Sequence, residues 1–210
     1  MARTVFYLTR HAATFWNLDK RIQGQWDSEL APAGQAAAAA LARQLDGLSL
    51  SRIVASDLGR AKATAGIFNM RLCLPVTLDK RLREQHFGAW TGKYWRDVPG
   101  DALRAAEAAG WGFTPPEGES RTEVRLRAAR ALIDAARANA SRNVLVVTHQ
   151  GVMKAVLYHL LGRAYLPDEP PAFDPARIQR LICQDGVLRV DGLDIPLPEA
   201  ADAPNPPDAS

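Results

Sequence analysis

The run Val144-Leu145-Val146-Val147 constrains this chain more than any other feature. Four consecutive apolar residues, three of them β-branched, have no polar face to turn to water. They read as a strand buried inside a sheet. Such a strand needs helices to cover it, and the sequence supplies them. Pro32–Leu45 is Ala-rich and helical, with Pro32 in the first turn. A second helix is expected from about Leu58 to Arg71. Ser120-Arg121-Thr122-Glu123 fits a capping box, so a long helix should run from there to about Asn139. Gly151–Leu161 is helical, and Tyr94–Phe113 has helical composition punctuated by Pro99-Gly100 and Gly110. Further short strands are expected at Val5–Leu8, Arg52–Ala55 and Pro75–Leu78. Ile178–Cys183 and Val187–Val190 flank Gln184-Asp185-Gly186, a hairpin signal. Strands alternating with helices predict an α/β fold with a mainly parallel sheet.

Composition narrows the class. The 210 residues suffice for one well-filled domain, and 47% hydrophobic with 23% charged is an ordinary globular balance. No stretch approaches the roughly 20 apolar residues of a membrane span. The N-terminal apolar run is too short for a signal peptide. Cys73 and Cys183 are the only cysteines, so neither a disulfide framework nor a CxxC metal pattern is present. A cytoplasmic protein with reduced thiols is expected. The net charge of +3 carries no dense basic run interleaved with aromatics, so neither a nucleic-acid nor a membrane partner is indicated. Most basic residues are Arg, whose planar fork suits phosphate or carboxylate. The motifs GxxxxGK[ST], GxGxxG, HExxH and GxSxG are all missing.

Four pieces could carry chemistry. Two apolar strands end in a histidine: Leu8-Thr9-Arg10-His11 and Val147-Thr148-His149. Ligands of parallel α/β sheets gather at the carboxyl ends of strands, so the two rings meet if their strands are neighbours. Either ring alone could be a satisfied polar residue. In Ser56-Asp57-Leu58-Gly59-Arg60, Ser56 or Asp57 can cap the following helix, which puts Arg60 in a first turn beside free N–H groups. The plainer reading is a solvated surface Arg. Glu84 precedes Phe87 and Trp90, aromatics that could desolvate it and suit it to general acid work. Alone it would be a surface carboxylate.

Together these pieces resemble the histidine phosphatase superfamily, also called phosphoglycerate-mutase-like. The carrying residues are Arg10-His11, Asn17, Arg21-x-Gln23-Gly24-x-x-Asp27-x-x-Leu30 and Gly34. They continue through Ser56-Asp57-Leu58-x-Arg60-Ala61-x-x-Thr64-Ala65 and Arg81-Leu82-x-Glu84-x-x-Phe87-Gly88-x-Trp90-x-Gly92. The last are Glu117-Gly118-Glu119-Ser120 and His149-Gln150-Gly151. Their order along the chain is the family's. The resemblance implies a three-layer α/β/α fold in one domain over 1–195. A helical lid insertion is expected at about 93–117, and a disordered tail over 196–210.

It further implies a phosphomonoester hydrolase that needs no metal or cofactor. His11 would be the nucleophile that becomes phosphorylated. Arg10, Arg60 and His149 would hold the phosphoryl oxygens, and Glu84 would protonate the leaving group. Asn17, Gln23, Gly24 and Gln150 would lie around the phosphate, although Asn17 could equally cap a helix. The implied partner is a small phosphorylated metabolite, and a homodimer is compatible with the sequence. Two other readings stay open: a mutase, and a relative that binds a phosphate ligand without turnover. Gln85, His86 and Phe87 follow Glu84 without an Arg, and the segment from Glu84 to Glu117 is short, which favours hydrolysis over mutase chemistry. The aromatic stretch from Trp90 to Phe113 reads either as a substrate-contacting lid or as a satellite core. One departure is Ala12, where the family usually has Gly.

Overall fold

The computed structural model describes residues 3–197. Strand β1 (Arg3–Arg10) leads through a single helical turn, α1 (Phe15–Leu18), to helix α2 (Pro32–Leu45) and strand β2 (Leu50–Ala55). Helix α3 (Gly59–Leu72), strand β3 (Val76–Leu78) and helix α4 (Gly100–Ala108) follow. Then come helix α5 (Arg121–Ala138), strand β4 (Asn143–Thr148), helix α6 (Gln150–Leu160) and the hairpin β5 (Ile178–Gln184) and β6 (Val187–Ile195). The six strands form one sheet in the order β3-β2-β4-β1-β5-β6. The first three pairings along that order are parallel and the last two antiparallel. The hairpin turns on Asp185 and Gly186, both with positive φ, as an Asp-Gly turn requires.

Alternation along the strands divides the interior. Phe6, Leu8, Val144 and Val146 point to one face, where α5 and α6 cover them with Val124, Leu132, Met153 and Leu157. Tyr7, Ile53, Leu145 and Val147 point to the other, under α2 and α3, against Ala38, Leu45, Ala65 and Phe68. β4 is thus apolar on both faces because both faces are covered. This is the three-layer arrangement that the family resemblance implies. Each Val, Leu, Ile, Phe or Met among them, fully buried, contributes about 1.5–3 kcal/mol.

Between Glu84 and α5 the chain makes single helical turns around α4. A third, small core of Ile22, Trp90, Val98 and Phe113 fixes that region. The expected helix there is broken where Pro99-Gly100 and Gly110 stand. Disorder was expected from 196, yet Leu197 packs on the second core. Residues 198–210 lie outside the described residues. No helix among the described residues is long and apolar enough to cross a membrane.

Candidate active site

Strand register brings three loops to one place. β1 and β4 end in step, Arg10 opposite Thr148. The His11 N–H donates to the Thr148 carbonyl, and the Ser56 N–H to the Val147 carbonyl, each at 2.9 Å. The residue after each strand therefore falls into one cluster of His11, Ser56 and His149. The two imidazole centroids are 5.1 Å apart.

His11 is fixed through both nitrogens. Nδ1 lies 2.8 Å from the Ala12 carbonyl. A carbonyl only accepts, so Nδ1 carries the proton and Nε2 keeps its lone pair. Arg60 donates its Nε–H to that Nε2 at 3.3 Å. Burial is the main cause that holds the His11 pKa well below the usual histidine value, and the charges of Arg60 and Arg10 add to it. The two cations are readable from the sequence; the larger cause, burial, comes from packing. Ala12 keeps a negative φ. Its N–H donates to Thr64 Oγ1 at 3.0 Å, so the methyl in place of the family glycine is housed without strain.

His149 is fully buried behind His11. Its Nε2 lies 2.8 Å from Ser56 Oγ, while Nδ1 has no partner among the described residues. Ser56 Oγ also accepts the Leu58 N–H, so its own proton is free for Nε2. Burial, then Arg60, pushes the His149 pKa well down. A neutral ring that accepts at Nε2 presents Nδ1–H as a donor.

The two arginines differ. Arg60 gives NH1 to the Trp26 carbonyl and Asp27 Oδ1, and NH2 to the Gly24 carbonyl. Counting Nε, four of its five N–H groups are committed. The Arg10 Nε is buried without a partner, and the guanidinium makes no hydrogen bond to a described residue. Burial lowers the Arg10 pKa and Glu84 opposes this. Arg10 is thus the open fork, and Arg60 chiefly orients His11.

The expected helix cap is corrected. Neither Ser56 nor Asp57 caps α3. Asp27 does so from a distant loop, accepting from Gly59 N at 2.7 Å and Arg60 N at 3.2 Å. Asp57 instead forms a two-pronged pair with Arg83 at 2.6–2.7 Å. Asn17 serves the cap of α1 as its third residue, with Thr14 as the N-cap. Its Oδ1 accepts from Thr14 N and Oγ1, closing a capping box, and it also lines the cavity.

Glu84 is half-buried. Phe87, Trp95 and Phe113 line the same cavity, but backbone holds its carboxylate: Oε1 accepts from Gln85 N at 2.8 Å and Oε2 from Gly151 N at 3.1 Å. A Cβ at residue 151 would lie 2.2 Å from Oε1, so any side chain there would force the Glu84 carboxylate to move. Arg127 clamps the loop from α5, donating to the carbonyls of Arg81, Arg83 and Glu84. Glu119 in turn holds Arg127 with both oxygens, at 2.6 and 2.8 Å. The Glu117-Gly118-Glu119-Ser120 motif therefore positions Glu84 and caps α5 through Ser120. Gly88, at φ +49°, passes so near the Pro116 carbonyl that a Cβ would lie 1.9 Å from it.

These groups surround a cavity of about 280 Å³ whose wall includes Arg10, His11, Asn17, Gln23, Gly24, Arg60, Glu84 and Gln150. His149 stands behind it. Arg21, Glu107, Arg121, Lys154 and Tyr165 also line it, and none of these was singled out for a role from the sequence. Lys154 could have been found, since it lies one helical turn beyond Gln150. Among the described residues, no group of three or more His, Cys, Asp or Glu is placed to hold a metal ion.

The signature of the histidine phosphatase superfamily (branch 1) matches residues 6–195. The glucosyl-3-phosphoglycerate phosphatase of Mycolicibacterium vanbaalenii is 36% identical over 74% of this chain and 73% of its own length. A protein of Enterobacter sp. named "Probable phosphoglycerate mutase GpmB" is 32% identical over 90% of this chain and 86% of its own. Among solved structures, Bacillus stearothermophilus YhfR superposes with a TM-score of 0.82 at 31% identity, covering 90% of this chain and 95% of that one. The chain belongs to the histidine phosphatase superfamily, branch 1. Its relatives there include one named as a phosphatase and one named as a mutase.

Proposed function

We propose that His11 Nε2 is the nucleophile of a metal-independent phosphomonoesterase and that Glu84 is its proton donor. The observation that carries this is the His11 ring itself. Its proton is pinned to Nδ1 by the Ala12 carbonyl, so its lone pair lies on Nε2, where the Arg60 Nε–H meets it in a cavity that the open Arg10 fork also lines.

A phosphate ester repels nucleophiles through its own charge, and its uncatalysed hydrolysis calls for rate factors up to about 10²¹. The transition state spreads charge over the equatorial oxygens, so positioning and electrostatics dominate. Arg10 and the His149 Nδ1–H supply donors to those oxygens, with the last N–H of Arg60. Asn17, Gln23, Gly24 and Gln150 complete the wall. Once the bound ester displaces the Arg60 N–H from His11 Nε2, that nitrogen attacks phosphorus, the P–O bond to the alcohol breaks, and Glu84 gives its proton to the departing oxygen. Glu84 then takes a proton from water, the hydroxide displaces His11 from phosphorus, and inorganic phosphate leaves. Residues 93–117 act as the lid over this site within the single domain, and the substrate is a small phosphorylated metabolite.

Brief reaction with a ³²P-labelled ester, followed by acid or base quench, tests this. Base-stable, acid-labile label on the protein, lost in His11→Ala, is expected. Acid-stable label, or activity abolished by chelator and restored by metal, overturns it. The similarity to a protein named as a mutase favours a second reading, transfer of the phosphoryl group back to a substrate alcohol. Release of inorganic phosphate at the rate of ester consumption decides against that reading.

A further inference from the structure

A second cavity, a groove of about 580 Å³, adjoins His11. Its floor is one flank of α2, where Ala33, Ala37, Ala40, Leu41 and Gln44 recur at helical spacing. Phe68 of α3 and Pro175-Ala176 also wall it. Arg10, His11 and Asn17 line both cavities, so the groove opens beside the guanidinium whose Nε has no partner among the described residues. Glu84 lines the catalytic cavity and not the groove. The alcohol portion of an ester, which departs toward Glu84, therefore leaves the groove to another occupant. Its volume is that of a binding cleft, and its small side chains make a smooth trough.

The chain itself passes the mouth of this groove. In the β5–β6 register Ile195 stands opposite Ile178, which closely follows Ala176. Leu197 then packs on the core that Ala38, Leu41 and Phe68 share. Residues 198–210 follow, and apart from Asn205 and Ser210 all are Pro, Ala, Glu or Asp. They offer three carboxylates, at Glu199, Asp202 and Asp208, with no basic residue and no side chain larger than that of Glu. Small apolar residues match the alanine floor, and the carboxylates match the open Arg10 fork. From Ala33 to Gln44 a helix rises about 16 Å. About five residues in polyproline II form, at about 3.1 Å each, cover that length, so residues 198–210 suffice. Proline fixes φ beforehand and so reduces the entropy lost on docking, and the tether supplies a high effective concentration. We propose that the groove along α2 receives residues 198–210 of its own chain in extended form. One of their carboxylates then sits on the Arg10 guanidinium and competes there with the phosphoryl group.

A nitroxide on Ala203→Cys, in a Cys73→Ser background, tests the docking, since Cys183 is buried away from the label. Amide NMR should show selective broadening at Ala33, Ala37 and Leu41 with β3 untouched, and Ala37→Phe, which fills the groove, should abolish it. Absence of broadening along α2 overturns the proposal. Broadening that appears only between a labelled chain and an unlabelled, isotope-enriched one assigns the groove to a second copy and overturns it as well. Calorimetry with inorganic phosphate tests the Arg10 contact without turnover, so its result stands even if the hydrolytic reading fails. Phosphate binds in proportion to the fraction of molecules whose carboxylate is away from Arg10. The triple variant Glu199→Gln, Asp202→Asn, Asp208→Asn and the single variant Ala37→Phe should therefore each bind it about 3- to 10-fold tighter. Combining them should gain nothing further, because either alone frees Arg10. Unchanged affinities, or gains that multiply, overturn the contact with Arg10.

Discussion

Arg60 donates Nε–H to His11 Nε2 across 3.3 Å while Asp27, on another loop, grips the NH1 end of the same guanidinium at 3.1 Å. Asp27 also caps α3 through the N–H groups of residues 59 and 60. One carboxylate therefore anchors the helix and aims the arginine that orients the nucleophile. Asp27→Ala should lose about 0.5–2 kcal/mol of stability, the range for a lost cap. It should also lower kcat, because Arg60 is no longer aimed. Urea denaturation together with steady-state kinetics checks both. Loss of stability with kcat unchanged would show that Asp27 serves the helix alone.

The same pair shows what was legible in the sequence. The α5 cap was readable because Ser120 and Glu123 are three residues apart and satisfy each other locally. The α3 cap was not, because its carboxylate arrives from Asp27, and no local pattern announces a partner brought by tertiary folding. Both strand-end histidines were readable, since apolar runs and parallel register determine where a strand's carboxyl end lies. The division of labour between Arg10 and Arg60 was not. It depends on which carbonyls, those of Gly24 and Trp26, happen to consume guanidinium protons. Arg121 opens α5 and Lys154 lies one turn into α6, and the packing of those helices decides which flank faces the cavity.

Both imidazoles are held neutral by burial, which has a consequence for stability. Their folded pKa values lie well below the unfolded value near 6.5. Above 6.5 neither state binds the proton and no stability depends on it. As pH falls below 6.5 the unfolded chain takes up protons that the folded protein refuses, so stability falls. The slope from each ring reaches about 1.4 kcal/mol per pH unit. Urea denaturation at pH 7.5 and 5.5 should show that loss, and His149→Gln should reduce it. An unchanged loss in that variant would assign the effect elsewhere. For the same reason, the acid limb of kcat/KM due to His11 should lie below pH 6.5.

Ser56 fixes a tautomer. In the tautomer that leaves Nδ1–H for a phosphoryl oxygen, the Ser56 hydroxyl gives its proton to His149 Nε2, 2.8 Å away. Ser56→Ala frees the ring to adopt the other tautomer and leaves buried Nε2 without its donor. Loss of one donor to developing charge typically costs about 10²–10³ in kcat, and a partly populated tautomer should cost somewhat less. Vanadate affinity should fall in parallel, since the same N–H would contact its oxygens. Ser56→Thr keeps the hydroxyl and should retain most of both. Equal losses in the alanine and threonine variants would point to packing, not to the proton.

Arg127 should betray its role through the leaving group. It touches no cavity wall, but it clamps the carbonyls of residues 81, 83 and 84 and so holds the loop that carries Glu84. An alkyl ester cannot depart without a proton, whereas p-nitrophenolate leaves readily without one. Glu84→Gln should therefore reduce kcat far more for an alkyl phosphate than for p-nitrophenyl phosphate, by about the 10²–10⁴-fold of general acid catalysis. Arg127→Met loosens the same carboxyl without removing it, so it should show the same selective loss at smaller amplitude. Gly151→Ala, whose methyl would strike Glu84 Oε1, should do likewise. If Arg127→Met slowed both esters by one common factor, the arginine would be acting on the fold at large and not on the position of the proton.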